Sequence, residues 1–196
     1  MCFGDSITAG RETRNEPVLT AMLADTIDHY EIINAGINGN NTVDALNRIE
    51  ADVIQKQPDL VTILFGANDA AFHKMIDLPT YRKNMRRIVQ LIGPDKAILI
   101  TPAPVDETLQ FARTNEVLAR YANAVKEVAT ETGAYFIDFY TEMLSLEDYQ
   151  KKLKGIHNDG LHFGEEGYAI LVDLLVKNYM KFSRWRYGIY RFIFIR

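Results

Sequence analysis

Short apolar runs that do not alternate with polar residues restrict the fold of this chain most. Residues 60–65 and 97–100 are apolar at nearly every consecutive position, so both faces of each strand require a covering layer. Shorter β-rich runs at residues 1–3, 31–34 and 134–137 complete a set of five predicted strands. Such runs are typical of a parallel sheet that carries helices on both faces.

Amphipathic helical segments lie between these runs, with apolar residues at the spacing of an α-helix. The predicted stripes are Leu19, Leu23 and Ile27; Val43, Leu46, Ile49 and Val53; Tyr81, Met85, Ile88 and Ile92; Leu118, Tyr121, Val125 and Val128; and Tyr168, Leu171, Leu175 and Tyr179. The last helix is expected over about residues 165–181. Repeated β-α units imply right-handed crossovers. We therefore predict an α/β fold, a three-layer α/β/α sandwich around a five-stranded, doubly wound parallel sheet.

The composition is that of one globular domain with an unusual end. Hydrophobic residues are 47% and charged residues 24%, and the net charge of −4 gives no reason to expect nucleic-acid binding. Residues 183–196 hold four arginines and no acidic residue, which separates a body at 1–182 from a basic, aromatic extension of unassigned role. A homodimer through this extension is left open. One cysteine, no leader pattern and no run of 18 apolar residues favour a cytoplasmic protein without a transmembrane segment.

Polar, glycine-rich segments follow the predicted strands or precede the last helix. They are residues 4–8, 34–42, 66–69 and 157–162. Because ligands of such folds bind at the carboxyl ends of the strands, we expect these four segments to meet at one edge of the sheet. Together they supply a hydroxyl, an amide, carboxylates and imidazoles.

These groups suffice for acyl transfer. The hydroxyl of Ser6 is a nucleophile only with a base in reach, and the imidazole of His162 is the candidate base. Asp159, three residues earlier, could accept the Nδ1 proton of that imidazole. The amides of Ser6 and Gly39 and the side-chain amide of Asn68 could hold a tetrahedral oxyanion.

The four segments resemble the sequence blocks of the SGNH (GDSL-type) hydrolases. Gly4-Asp5-Ser6 matches the first block, Gly39 the second, residues 66–69 the third and residues 159–162 the last. The similarity spans about residues 3–182, and residues 64–69 and 100–104 are most like the isoamyl acetate-hydrolysing esterase and bacterial lipase/acylhydrolase group.

The resemblance implies a flavodoxin-like sheet and hydrolysis of short-chain esters. It gives Ser6 as nucleophile, His162 as base, Asp159 as its partner, and Gly39 and Asn68 as oxyanion donors with Ser6. A small-molecule ester is the expected partner, and no cofactor or metal is expected. Supporting or pocket-lining roles are predicted for Asp5, Asn38 and His73. The family usually has a full apolar strand before the first block, whereas three residues precede it here, so the strand is short or the chain starts late.

Three alternatives remain. The same serine, aspartate and histidine could serve a carbohydrate deacetylase, a thioesterase or a lysophospholipase, because specificity resides in loops outside these blocks. A non-catalytic flavodoxin-like module could bind a phosphate at residues 6–8, although such a site needs neither Asp159 nor His162. A metal site on His157, Asp159 and His162 would not have a recognised zinc spacing.

Overall fold

A computed structural model describes the backbone of residues 1–187 and the side chains of residues 1–179. Five parallel strands form one sheet in the order β2-β1-β3-β4-β5, which confirms the predicted α/β fold. The strands are β1 at Cys2–Gly4, β2 at Asn34–Gly36, β3 at Val61–Leu64, β4 at Ala97–Ile100 and β5 at Tyr135–Ile137. Strand β1 is short and stands next to the edge strand, and it pairs on one side with β2 and on the other with β3.

Helices cover both faces of the sheet. Their bounds are α1 Ser6–Ala9, α2 Val18–Thr26, α3 Thr42–Asp52, α4 Leu78–Ile92, α5 Asn115–Thr132, α6 Phe139–Ser145, α7 Tyr149–Lys152 and α8 Glu165–Tyr187, with a 3₁₀ turn at Ile54–Lys56. Ile63 and Leu99 belong to a core with α3, α4 and α5, whereas Ile98 and Ile100 belong to a second core with α2 and α8. Consecutive apolar residues of β4 thus serve opposite faces, as the sequence pattern predicts.

The second strand begins later than predicted. Pairing places Asn34 opposite Cys2 and Gly36 opposite Gly4, so the ladder starts where β1 starts and not at residues 31–34. The predicted stripe of α3 is also corrected. Val43 is exposed, because Ala45, Ile49 and Val53 are the residues that face the core.

The last helix crosses the predicted boundary between body and extension. Helix α8 continues to Tyr187, beyond the expected end near residue 181 and beyond position 182. Residues 188–196, the rest of the predicted extension, lie outside the described residues. Among the residues that are described, no helix has both the length and the apolarity to cross a membrane.

Candidate active site

The four polar segments meet at the carboxyl edge of the sheet. Strand β1 ends at Gly4, and Ser6 is the first residue of α1. The side chain of Asp5 caps this short helix by accepting a hydrogen bond from the amide of Ile7 at 2.9 Å. The turn after β1 therefore directs Ser6 towards the edge, where the segments after β2 and β3 and before α8 also end.

A hydrogen-bonded series joins Ser6, His162 and Asp159. The Oγ atom of Ser6 lies 2.8 Å from Nε2 of His162, and Nδ1 of the same ring lies 2.7 Å from Oδ2 of Asp159. An ionised carboxylate only accepts hydrogen bonds, so the neutral ring carries its proton on Nδ1. Nε2 is then the acceptor for the hydroxyl of Ser6.

The Asp159 carboxylate is held by its own loop. Its Oδ1 atom accepts the amides of Leu161 at 3.0 Å and His162 at 2.9 Å. Burial acts to raise the pKa of Asp159, but these amides and the imidazole outweigh it, so the pKa lies below its ordinary value. Gly160 permits the turn, since its φ is +73° and a Cβ atom would lie 2.7 Å from the carbonyl of Asp106. Asp159 is therefore both ionised and fixed in orientation.

Three candidate hydrogen-bond donors belong to Ser6, Gly39 and Asn68, which line one cleft. The amide of Ser6 is the first of α1, where intrahelical pairing does not use it. Gly39 has a φ of +76°, which a residue with a side chain rarely adopts. The Nδ2 atom of Asn68 donates to the carbonyl of Asn40 at 3.0 Å and has a longer contact of 3.4 Å with Asp5. The short bond orients the amide group, and the long contact leaves its second proton weakly engaged.

A buried polar network links the segment that holds Asn68 to the segment that holds Gly39. Asp69 is fully buried, and its Oδ1 atom accepts both the amide of Thr42 at 3.0 Å and the hydroxyl at 2.5 Å. Asn84 of α4 donates to the same hydroxyl at 3.0 Å. The Oδ2 atom of Asp69 has no hydrogen-bond partner among the described residues, and burial raises its pKa to about 6.

Asp5 is a second buried carboxyl beneath the site. It is only 2% exposed, and burial raises its pKa to about 7. Arg113, itself buried, interacts electrostatically with Asp5 and with Asp159, and its Nε atom donates to the carbonyl of Ala67 at 2.7 Å. Burial lowers the pKa of Arg113, while the two aspartates oppose this change. The described charges beneath the edge therefore include two acids with raised pKa values and one buried guanidinium.

An open cleft of about 1060 Å³ gives access to these groups. Ser6, Asn38, Gly39, Asn68 and His162 line it, together with residues 10–12 and 156–157. Within the part of the chain whose side chains are described, no group of three or more histidine, cysteine or acidic residues could hold a metal ion.

Two of the three predicted supporting residues lie at the site, and one does not. Asn38 lines the cleft, and Asp5 lies directly behind Ser6. His73 is exposed with its ring against Phe72 and is not a cleft residue. The reason is that Phe72 donates to the carbonyl of Ala112, so the chain after Asn68 turns outward.

The structure adds three residues to the site, of which the sequence suggested only His157, and that one as an alternative metal ligand. His157 lines the cleft, with its ring centroid 5.7 Å from that of His162. Glu12 accepts the amide of Ile156 at 2.8 Å and so joins the loops on either side of the cleft mouth. Neither Glu12 nor Arg113 belongs to a recognisable block, and no local pattern marks them for the site.

Comparisons with known proteins match most of this chain. The model of the GDSL-like lipase/acylhydrolase family matches residues 2–170. The human isoamyl acetate-hydrolyzing esterase 1 homolog (Homo sapiens) is 33% identical over 201 residues, covering 89% of this chain and 78% of the relative.

Two solved structures extend the comparison. The crystal structure of a lipase/acylhydrolase from Enterococcus faecalis has a TM-score of 0.82 at 33% identity, covering 90% of this chain and 92% of that one. An acetyl xylan esterase from Geobacillus stearothermophilus has a TM-score of 0.73 at 28% identity, and the match covers 90% of this chain and 91% of that one. With the family model matched over most of its length, this chain belongs to the GDSL-like lipase/acylhydrolase family of ester-hydrolysing enzymes.

Proposed function

We propose that the protein is a serine esterase that cleaves short-chain carboxylic esters through an acyl-enzyme. The observation that carries this proposal is the hydrogen-bonded series from Ser6 Oγ to His162 Nε2 at 2.8 Å and from His162 Nδ1 to Asp159 Oδ2 at 2.7 Å. Both distances lie within the range in which a base can take the proton of a nucleophile. The family membership supports ester hydrolysis as the reaction.

Acylation begins with attack of Ser6 Oγ on the ester carbonyl carbon. The hydroxyl proton passes to Nε2 of His162, and the resulting imidazolium is stabilised by the carboxylate of Asp159. The carbonyl oxygen becomes an oxyanion, for which the amides of Ser6 and Gly39 and the Nδ2 group of Asn68 are the proposed donors. Collapse of this intermediate expels the alcohol, which takes the proton from His162.

Deacylation repeats the same steps with water. His162, again neutral, takes a proton from a water molecule as that water attacks the acyl carbon, and it returns the proton to Ser6 Oγ when the acid leaves. Asp5 is given no part in proton transfer here, because its two carboxyl oxygens contact the amide of Ile7 and Nδ2 of Asn68, and His162 is the group that contacts the hydroxyl of Ser6. Its proposed role is to hold the turn that presents Ser6.

The short-chain preference rests on the comparisons. A relative is named for isoamyl acetate, and a structural neighbour is an acetyl xylan esterase, so both carry acetyl substrates in their names. The family membership does not favour a non-catalytic phosphate-binding module.

A panel of p-nitrophenyl esters of increasing acyl length, together with acetylated sugars, tests the proposal. We expect the highest kcat/KM for acetate or propionate esters and a kcat about 10⁶-fold lower for Ser6→Ala. Ser145→Ala is the matched control, because Ser145 is exposed on α6 and should leave the kinetics unchanged. A fluorophosphonate should label Ser6 covalently. Near-full activity of Ser6→Ala would refute the assignment, whereas a preference for sugar acetates would transfer it to carbohydrate deacetylation.

We also propose a cytoplasmic location, which the single buried cysteine supports because a reducing compartment needs no disulfides. A homodimer, and the lack of nucleic-acid binding, stay predictions. Sedimentation of the purified protein measures directly whether it is a homodimer.

A further inference from the structure

Arg48 of α3 contacts three separate parts of the chain that lead into the site. The guanidinium group is largely buried, with 14% of the side chain exposed. Its NH2 group donates to the carbonyl of Gly4 at 2.9 Å, and its NH1 group donates to the carbonyl of Ala35 at 2.9 Å. These carbonyls belong to the paired strands β1 and β2, so one guanidinium bridges the ends of two neighbouring strands.

The third contact reaches the loop after β2. The Nε atom of Arg48 donates to Oδ1 of Asn40 at 2.7 Å. The backbone of Asn40 in turn closes the turn around Gly39, since its amide donates to the carbonyl of Ile37 at 3.3 Å. The carbonyl of Asn40 also accepts the Nδ2 group of Asn68 at 3.0 Å. Asn40 thus connects both proposed oxyanion donors outside Ser6 to the guanidinium.

The same guanidinium is fixed relative to the nucleophile. Gly4, which accepts from Arg48, also accepts the amide of Ile37 at 3.1 Å and stands two residues before Ser6. The guanidinium carbon lies 4.5 Å from the ring centroid of Phe3, which adds a cation–π contact. The strand that presents Ser6 and the loop that presents Gly39 are therefore joined through one planar group.

We propose that Arg48 is a positioning residue that sets the distance between Ser6 and the oxyanion donors of Gly39 and Asn68. The inference rests on the proposed function of this site. Arg48 does not line the cleft, so it acts through Asn40 and the strand ends and not on the substrate. Donors to an oxyanion act in the transition state, because the negative charge is absent from the bound ester. Misplacing them should lower kcat while KM stays nearly constant.

An ammonium group cannot replace this guanidinium. The contacts with Gly4, Ala35 and Asn40 need three donor directions in one plane, which a lysine does not supply. Arg48→Lys keeps the charge and removes the fork, whereas Arg48→Met removes both. The ion pair of Arg48 with Asp52 is separable from the rest, because Asp52 lies on the outer side of α3 with 38% of its side chain exposed.

The test measures kcat and KM for p-nitrophenyl acetate in Arg48→Lys, Arg48→Met, Asn40→Ala and Asp52→Asn. We expect kcat to fall about 10- to 100-fold in the first three variants, with KM within about twofold, since the donors are displaced but not deleted. Asp52→Asn should match the parent protein. Circular dichroism at the assay temperature establishes that each variant is folded, and Asn40→Ala keeps the test open if Arg48→Met does not fold.

A second measurement separates positioning from general destabilisation. When Asn68→Ala is already present, adding Arg48→Lys should lower kcat by less than about threefold. The reason is that Asn68, one of the two donors positioned by Arg48, has already been removed. Equal fold losses in both backgrounds, or a kcat of Arg48→Lys within twofold of the parent, would overturn the positioning role. If either of these results is found and Ser6→Ala is inactive, the positioning role fails but the proposed esterase function stands. An active Ser6→Ala would instead refute the proposed function.

Discussion

The buried carboxyl of Asp5 should make the protein less stable as the pH rises. Asp5 is 2% exposed and accepts one backbone hydrogen bond, from Ile7. Burial raises its pKa from 3.8 to about 7. The folded protein therefore holds this proton more tightly than the unfolded chain does, and unfolding releases a proton between these two pKa values. Each further rise in pH within that interval favours the unfolded state.

The size of the effect follows from the two pKa values. From pH 5 to pH 7, an interval of about two pH units, the pH lies above the unfolded pKa of 3.8 and below the folded pKa of about 7. At about 1.4 kcal/mol for each unit, Asp5 should lower the free energy of unfolding by about 2–3 kcal/mol over this range. Below about pH 3 the carboxyl is protonated in both states, and above about pH 8 the loss is complete.

Asp5→Asn isolates this contribution. The asparagine keeps an oxygen that can accept the amide of Ile7, so the cap of α1 is retained while the ionisation is removed. Asp69, whose pKa burial raises to about 6, titrates in both proteins, and the variant therefore removes the ionisation of Asp5 together with its repulsion from Asp69. Urea unfolding at pH 5 and pH 8 should show a decline in the parent that exceeds the decline in Asp5→Asn by about 2–3 kcal/mol. Equal pH dependence in the two proteins would refute the reasoning.

Two further predictions concern the groups around the reacting ester. Asn68→Ala should lower kcat for p-nitrophenyl acetate by about 10²–10³-fold with little change in KM, the usual effect of deleting one oxyanion donor; a raised KM with unchanged kcat would place Asn68 in substrate binding instead. Asp159→Asn should lower kcat by about 10³–10⁴-fold, because an amide nitrogen facing Nδ1 favours the ring tautomer that cannot accept from Ser6. In that variant the side-chain oxygen can still accept the backbone amides of Leu161 and His162, so circular dichroism should find the fold intact.

Local sequence patterns were sufficient for the parts of the fold that depend on neighbouring residues. The run at 97–100 coincides with β4, and the run at 60–65 contains β3, because burial on both faces leaves a continuous apolar signature. The convergence of residues 4–8, 34–42, 66–69 and 157–162 also followed, since parallel strands bring their carboxyl ends together. The pairing of Ser6 with His162 was predicted from the chemistry of the two side chains, and the resemblance to a family implied the same pair.

Other features depend on contacts between distant residues, which no local pattern encodes. The start of β2 is set by the length of β1, so the strand begins at Asn34 although Ile32 and Ile33 before it are more apolar than the strand itself. His73 was predicted near the cleft from its distance along the chain, but the bond between Phe72 and Ala112 turns that segment away. Arg48 was placed on a helix, and only the register of α3 against two strand ends makes it a neighbour of the site.

Side chains, more than strand length, hold the carboxyl edge of this sheet in place. Strands β1 and β2 pair over three residues each, which alone is a short ladder for the element that presents a nucleophile. The supporting contacts come from Asp5 to the first turn of α1, from Asp69 to Thr42, and from Arg48 to two strand carbonyls. Burying these charged groups opposes folding, as the raised pKa values of the two aspartates indicate. Apolar replacements would remove the free-energy cost of burying charge. They would also release the loops whose donors must face the oxyanion. The same few residues therefore set both the geometry of the site and the stability of the fold.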